Sequence, residues 1–298
     1  MKSLSKGNFT LSPAPYIRKG NNINAIILDF IIALIPVFFA GVYFYGKAAI
    51  KIVLVSIISS LVTEIIWNRF VKKREYLTDL SPVVNGLILG LILPTHLPIW
   101  IVIIGSIFGV IVVKQLFGGY GQNFMEPAAA TKAFLIASWA AVMAKPVVDT
   151  VTSASVEVVE VSLLEKFIGQ ASGNIGEVSV LAILIGALYL LIRGRINFRA
   201  PMAFILVATA LCTYWGKDLL LPGAFYFSAV FLSTDYATTP MTRSGQVIFG
   251  ALAGLLAAII AVKGYNPEGP YYAIIIMNLT TPLIEYLTTK KYKKEVSK

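Results

Sequence analysis

A polar segment interrupts an otherwise apolar chain, and its residue types and spacing could support chemistry. The segment runs from Lys145 to Glu177, and its near end carries one acid and several hydroxyls: Asp149, Thr150, Thr152, Ser153 and Ser155. Such hydroxyls act as nucleophiles when activated, or accept a group that another enzyme transfers. Loops of this length without repeating structure are usually functional. Composition alone favours a solvated hydroxyl-rich loop without chemistry. A functional role for these hydroxyls therefore has to be argued from their spacing.

Cysteine and histidine are too scarce for most metal chemistry. The chain has one cysteine, Cys212, and one histidine, His96. One cysteine excludes an internal disulfide and a cysteine-ligated iron–sulfur cluster within this chain alone. One histidine excludes a bis-histidine haem or a multi-histidine metal site. We therefore predict no metal site, and any electron transfer needs an organic cofactor or a cluster shared with a partner.

The composition is that of a polytopic membrane protein. Hydrophobic residues make up 57% of the 298 residues and charged residues 13%, whereas soluble domains carry about 25% charge. Apolar runs of about 18 to 22 residues recur, which is the length a helix needs to cross a bilayer. The net charge of +10 is attributed to basic cytoplasmic loops rather than to nucleic-acid binding.

The runs predict an all-α fold of about ten transmembrane helices. We place them near residues 24–45, 48–70, 81–94, 97–117, 127–145, 177–192, 200–216, 222–233, 244–262 and 270–288. The third and eighth are short and end near Pro94 and Pro240. Five helices therefore precede the polar segment and five follow it.

The charges predict the orientation. Basic residues cluster in the N-terminal segment, at 69–74, at 193–199 and in the C-terminal tail, and ten helices bring these regions to one side. The positive-inside rule makes that side cytoplasmic, so the polar segment lies outside. No removable signal peptide is expected. The predicted organisation is a cytoplasmic segment 1–22, a five-helix repeat 23–145, an extracytoplasmic loop 146–176, a second repeat 177–288 and a basic cytoplasmic tail 289–298.

The two halves share an order of features. In the first half, a short helix is followed by a full helix, a glycine-rich turn, Glu126-Pro127 and another helix. In the second half, a short helix is followed by a full helix, Glu268-Gly269-Pro270 and another helix. Five helices per half is an odd number, so the second copy must run inverted. Short, Pro- and Gly-interrupted helices at matching places in inverted halves indicate a pathway or site near the midplane.

Four charged residues fall within the predicted helices: Asp29, Glu64, Lys132 and Glu285. Charge inside a membrane is costly and by default functional. Asp29 and Glu285 lie near helix ends, where they either serve function or sit at the membrane interface. Glu64 and Lys132 either line an ion path or form structural ion pairs, and we favour the pair.

The hydroxyl cluster resembles a flavin-attachment motif. Asp149-Thr150-Val151-Thr152-Ser153-Ala154-Ser155 is similar to the motif in the family that contains the RnfD component of the Rnf ferredoxin:NAD oxidoreductase complex and the NqrB component of the sodium-translocating NADH:quinone reductase. There an Asp precedes Ser/Thr-Gly-Ala-Thr, and a separate transferase joins the last hydroxyl to the phosphate of FMN. Thr152, Ser153, Ala154 and Ser155 take these four places. Ser153 replaces the glycine and Ser155 the threonine.

Other segments carry the same resemblance. Gly118-Gly119 to Asn123, then Glu126-Pro127-Ala128-Ala129, resembles the family's Gly-Gly…Asn-Pro-Ala stretch, with Glu126 in place of the more usual Asn. The segment Asp235 to Thr242 resembles Asp-Pro-x-Thr-x-Pro-x-Thr. The resemblance extends from about residue 12 to residue 287.

The resemblance implies a redox subunit of an ion pump in the bacterial cytoplasmic (inner) membrane. Ser155 would carry covalent FMN, with Thr152 as the alternative acceptor, and a second, noncovalent flavin is left open. Partners would be other Rnf subunits, including a flavoprotein with covalent FMN and iron–sulfur membrane subunits, together with the flavin transferase. Electron flow between ferredoxin and NAD would be coupled to Na⁺ or H⁺ movement. The chemistry of the residues does not distinguish a subunit of an Rnf complex from a subunit of a quinone-reductase complex.

A different class of function uses the same architecture. A solute channel or secondary transporter can be built from five-plus-five inverted repeats with a midplane substrate site. It would need neither a spaced hydroxyl motif in its outer loop nor redox partners, and it would move substrate as this chain alone. The loop motif favours the redox subunit.

Overall fold

The structure is a computed structural model that describes residues 23–73, 80–144, 167–169, 173–217 and 221–296, with side chains described as far as residue 289. Within these ranges the regular structure is helical and contains no β-strand. The α-helices are α1 (Ile23–Tyr45), α2 (Lys47–Phe70), α3 (Ser81–Ile92), α4 (Ile99–Phe108), α5 (Pro127–Ser138), α6 (Ala140–Met143), α7 (Val180–Ile192), α8 (Arg199–Tyr214), α9 (Gly223–Phe227), α10 (Arg243–Ala258) and α11 (Gly269–Val296).

Three α-helices continue as π-helices at their C-terminal ends. The segments are π1 (Gly109–Gln115) after α4, π2 (Ser228–Leu232) after α9 and π3 (Ile259–Lys263) after α10. π-helical turns are rare and often mark functional sites. Here two of them, π1 and π2, end beside loops that carry buried polar residues.

The predicted helices coincide with observed ones, with three larger differences at their ends. The tenth continues from Gly269 to Val296, so the predicted basic tail 289–298 is helical as far as it is described. The fifth ends at Ser138, because Trp139 leaves the helical conformation (φ −132°, ψ 48°), and α6 follows as a single turn. The sixth begins at Val180, capped by the Ser179 side chain, so Glu177 lies in a turn and not in the helix.

The outer surface is that of a membrane-embedded protein. Three helical stretches, Ile23–Tyr45, Lys47–Phe70 and Arg243–Lys263, are long and apolar enough to cross a bilayer, and five shorter apolar helices accompany them. Large apolar side chains point outward along these helices, among them Phe39, Ile58, Leu188, Leu206 and Leu252. An apolar exterior this extensive is unfavourable in water and fits contact with lipid.

Small residues allow the helices to pack closely. A Cβ atom added at Gly250 or Gly254 of α10 would lie 2.2 or 2.3 Å from the carbonyl oxygens of Ala200 and Phe204 in α8. Gly186 of α7 meets the Ala33 carbonyl of α1 in the same way, at 2.3 Å. Close backbone approach through glycines is how membrane helices gain van der Waals contact. α1 and α7, the first helices of the two halves, therefore contact each other directly.

Candidate functional site

The predicted flavin-attachment residues lie outside the described residues. They are Asp149, Thr152, Ser153, Ala154 and Ser155. After them the structure describes residues 167–169 and then the stretch that begins at Gly173. There the Gly176 amide donates to the Leu91 carbonyl at 2.6 Å, and the Tyr45 hydroxyl donates to the Gly173 carbonyl at 2.6 Å. The far end of the polar segment is thus hydrogen-bonded to the end of α3 and to α1.

A buried ionic cluster lies at this end of the bundle, around Lys132 of α5. The Lys132 side chain is 0% exposed; its ammonium lies 3.3 Å from Glu177 Oε1, pairs also with Glu268, and stands 3.7 Å above the centre of the Tyr271 ring. The Tyr271 hydroxyl and the Asn174 amide both donate to Glu177 Oε1. Lys132 therefore forms ion pairs, and they connect α5 with the segment before α7 and with the start of α11.

A second buried pair joins α2 to π1. Lys114 Nζ lies 3.1 Å from Glu64 Oε2, and Gln115 Nε2 donates to Glu64 Oε1 at 2.5 Å. Lys114 also donates to the Ser81 hydroxyl at the start of α3. The pair alternative for Glu64 is thus the one observed. Sequence reasoning missed Lys114, although its place inside a predicted apolar helix is the cue that identified Glu64.

Asp29 and Glu285 also make specific contacts. Asp29 is 2% exposed, accepts from Arg193 Nε at 3.1 Å and Arg195 Nε at 2.5 Å, and receives the Tyr189 hydroxyl. Its side chain is therefore packed inside the protein, paired with arginines that follow α7. Glu285 is half-buried and accepts the Met241 backbone amide at 2.9 Å, which holds the loop before α10.

A cavity opens at the same end of the bundle as Asp29 and its arginines. Its lining combines apolar, aromatic and polar residues from both halves: Ile27, Phe30, Val84, Asn85, Ile88, Tyr120, Glu126, Phe231, Asp235 and Tyr236. The Tyr236 hydroxyl donates to the Arg195 carbonyl, which connects the cavity wall to the Asp29 cluster. The Asn85 Nδ2 atom is buried and has no hydrogen-bond partner among the described residues. An unpaired buried donor costs free energy, so the Asn85 amide can donate a hydrogen bond to a ligand oxygen in the cavity.

Two carboxyl groups face this cavity from loops outside the apolar helices. Glu126 is 3% exposed and caps α5, since its Oε2 accepts the Ala129 amide at 2.5 Å. Burial raises the pKa of Glu126 to about 8; the amide bond lowers it in part, and the charge of Asp235 adds to the rise. Burial also raises the pKa of Asp235, against hydrogen bonds that include one from Thr238 at 3.0 Å. Both were visible in the sequence only as members of motifs.

Comparison with known proteins gives one consistent result. The model of the NQR2, RnfD, RnfE family matches residues 10–294. The D subunit of the Na⁺-translocating ferredoxin:NAD⁺ oxidoreductase complex of Acetobacterium woodii is 39% identical, with 95% of each chain covered. The D subunit of the proton-translocating ferredoxin:NAD⁺ oxidoreductase complex of Clostridium ljungdahlii is 32% identical, with 96% of each covered.

A third relative comes from Methanosarcina acetivorans. It is the D subunit of an ion-translocating oxidoreductase complex and is 31% identical, over 95% of this chain and 96% of the relative. The matched family model spans the glycine-rich segment, the segment that begins at Asp235 and the hydroxyl cluster. The chain therefore belongs to the NQR2, RnfD and RnfE family.

Proposed function

We propose that this chain is the membrane subunit of an ion-translocating ferredoxin:NAD oxidoreductase complex of the Rnf type. The observation that carries the proposal is the near-full-length similarity to the D subunits of ion-translocating oxidoreductase complexes from three organisms. These relatives are named for oxidoreductase complexes, which favours the redox subunit over a solute channel. The chain would work with the other subunits of that complex, including a flavoprotein and iron–sulfur membrane subunits.

The coupled ion is Na⁺ or H⁺. One relative is named as Na⁺-translocating and another as proton-translocating, so the names do not select between them. The buried charges Asp29, Glu64 and Lys132 all have partners of opposite charge. The ion pairs favour structural roles for these residues over roles as ligands along an ion path, because leaving one buried charge without its partner strongly destabilises the protein.

The ten helices form two inverted repeats in this proposal. Its support is the order of elements: α1, α2, α3, α4–π1 and α5 correspond to α7, α8, α9–π2, α10–π3 and α11. In both halves the fourth helix ends as a π-helix, and the fifth begins directly after a glutamate-containing loop, at Glu126 and Glu268. The first helices of the two halves contact each other, as elements related by a pseudo-twofold axis do.

FMN would be attached as a phosphoester to Ser155, on the extracytoplasmic side of the inner membrane. The cofactor supplies reversible electron transfer that no side chain of this chain provides. The spacing of Asp149, Thr152, Ser153, Ala154 and Ser155 supports the assignment. The transferase must reach this loop, where the Ser155 hydroxyl oxygen would displace the leaving group from the phosphorus of a flavin nucleotide donor and lose its proton.

The cavity between the two halves is too small for a second, noncovalent flavin as it stands, since its volume of about 30 Å³ has room for only a few water molecules. Ligand sites are typically concave, mostly apolar and equipped with a few oriented polar groups. Phe30, Ile88 and Phe231 supply apolar walls, and Tyr120 and Tyr236 supply aromatic ones. In a cavity of this size the unpaired Asn85 amide would donate to water or to the oxygen of a small ligand, and Asp235 would accept from a hydroxyl.

The attachment is tested by in-gel fluorescence. The chain is expressed with its native flavin transferase, denatured, run on a gel and viewed under ultraviolet light beside Ser155→Ala and Thr152→Ala. We expect a fluorescent band that only Ser155→Ala abolishes. Loss in Thr152→Ala alone would move the acceptor to Thr152. Absence of fluorescence throughout, with the transferase active on a known target, would contradict covalent attachment and bring the transporter alternative forward.

A further inference from the structure

Glu126 and Asp235 bring two carboxyl groups to one cavity. Among the residues given above as its lining, all from the described part of the chain, none is Lys, Arg or His. Two basic side chains of the described bundle are already paired with other carboxylates: Arg195 with Asp29, and Lys132 with Glu177 and Glu268. Lys72 donates to the Gly118 carbonyl in the loop that carries Tyr120. Two like charges in one buried cavity repel each other, and a shared site of this kind usually keeps one group protonated.

The groups facing Glu126 come from several elements. Asp235 lies in the loop after π2, Tyr120 in the loop after π1, and Tyr236 next to Asp235; all three line the cavity with it. Tyr271 of α11 lies within the range of electrostatic interaction with the Glu126 carboxyl. The Asp235 carboxyl accepts hydrogen bonds from the Thr238 and Asn123 side chains as well as from backbone amides, whereas those that the Glu126 carboxyl accepts come from the backbone amides of Ala128 and Ala129. Asp235 is therefore the better placed of the two to keep a negative charge.

We propose that Glu126 is a proton-binding site of this cavity, neutral at physiological pH, while Asp235 carries the single negative charge. The Glu126 cap to α5 uses Oε2, so Oε1 is the oxygen that can hold a proton without loss of the cap. The rise of the Glu126 pKa to about 8, caused first by burial and then by the charge of Asp235, agrees with this geometry.

The proton gives Glu126 the hydrogen-bonding character of an amide. A neutral carboxyl has one acceptor and one donor, like the side chain of Asn, the residue more usual at this place in the motif that the chain resembles. The protonated form can therefore donate into the cavity from Oε1, whereas the ionised form can only accept. Deprotonation above about pH 8 replaces a donor with a second negative charge, so the ligand preference of the cavity changes with pH. The proposal concerns the cavity itself and does not depend on a flavin.

Infrared titration of the carboxyl group tests the proposal. The full chain is prepared in detergent without the flavin transferase, and the C=O stretch of protonated carboxylic acids is followed with pH. Subtracting the spectrum of Glu126→Gln isolates this residue, because glutamine keeps the cap acceptor but cannot ionise. We expect the band to be present at neutral pH. Its intensity, which reports the protonated fraction of Glu126, should fall about tenfold for each pH unit well above the midpoint.

The Asp235→Asn variant tests whether the charge of Asp235 raises the affinity of Glu126 for its proton. Removing the neighbouring charge should keep the Glu126 band and move its midpoint to lower pH, since that charge favours the neutral form. Equal acid bands in the wild type and in Glu126→Gln would overturn the proposal, as would a neutral-pH acid band that persists in Glu126→Gln and disappears in Asp235→Asn. If Glu126→Gln does not fold, Glu126→Asn serves as the reference.

Carbodiimide labelling gives an independent readout. Dicyclohexylcarbodiimide adds the O–H of a neutral carboxylic acid across its N=C bond, and the adduct rearranges to a stable N-acylurea without loss of atoms. Peptide mass spectrometry should find the label on Glu126 and little on Glu64, a buried carboxylate that is paired with Lys114. Equal labelling of both residues, or labelling of Glu126 that does not fall as the pH rises past about 8 with reagent concentration held constant, would contradict the proposal. Loss of the flavin band in the gel experiment would leave both readouts unaffected.

Discussion

At the scale of residues, the interior contains charges that are stable only as pairs. Glu64 and Lys114 are 3% and 1% exposed, and their contacts to Gln115 and Ser81 join three segments of the chain. A buried pair contributes little net free energy compared with an apolar substitute, but a single unpaired charge is strongly destabilising. These residues therefore act as a unit that fixes how π1 sits against α2 and α3.

Removing one partner of this pair should destabilise the fold. We expect Lys114→Met to lower the free energy of unfolding by about 3–5 kcal/mol, because Glu64 would remain buried without a cation. Thermal unfolding of the purified protein in detergent measures the effect. Lys51→Met is the matched control, since Lys51 is an exposed lysine on α2, and surface changes are usually within about 0.5 kcal/mol. Equal unfolding temperatures for the two variants would show that the pair is not structural.

At the scale of elements, backbone contact between α8 and α10 depends on two glycines. A Cβ atom at Gly254 would lie 2.3 Å from the Phe204 carbonyl oxygen, closer than atoms can approach, so the helices would have to separate. We expect Gly254→Val to destabilise the protein by about 1–3 kcal/mol or more, measured as a lower unfolding temperature. Leu252→Ala removes an exposed side chain of the same helix and should have a small effect. A stable Gly254→Val variant would contradict the close packing.

The elements also show what the sequence could and could not predict. Apolar length located the helices, because a membrane helix must satisfy its backbone internally and exclude charge. It did not predict the break at Trp139 or the π-helices, which depend on contacts with neighbouring helices. Apolar length also did not predict the ion-pair partners, because Lys132 contacts Glu177 and Glu268 through packing between segments far apart in the chain. Asp235 and Glu126 appeared in motifs, but their shared cavity is a property of the fold.

At the scale of the whole molecule, two proposed halves are joined through polar contacts at both ends. Lys132 connects α5 to Glu177 and Glu268 at the end where the polar segment returns, and Asp29 connects α1 to the arginines after α7 at the other. The cavity takes residues from both halves. An inverted arrangement would place equivalent helix ends on opposite sides of the membrane, and this consequence can be measured directly.

The ends of α2 and α8 separate an inverted repeat from a parallel one. These helices are equivalent in the proposed repeats; Arg69 lies at the end of α2 and Lys217 follows α8, and both residues are exposed. Introduced into a Cys212→Ala background, a cysteine at position 217 should react with a membrane-impermeant maleimide in intact cells. A cysteine at position 69 should react only after permeabilisation, because its basic neighbours Lys72 and Lys73 favour the cytoplasm.

Two controls complete the topology experiment. Cys212→Ala alone should remain unlabelled, and Lys47→Cys, at the exposed start of α2, should react from outside. If positions 69 and 217 react from the same side, the halves are parallel and the polar segment need not face outward. If they react from opposite sides, ten crossings become the simplest connectivity. Opposite labelling also places residues 146–176, which lie between these helices, on the same side as Lys47, as an extracytoplasmic flavin at Ser155 requires.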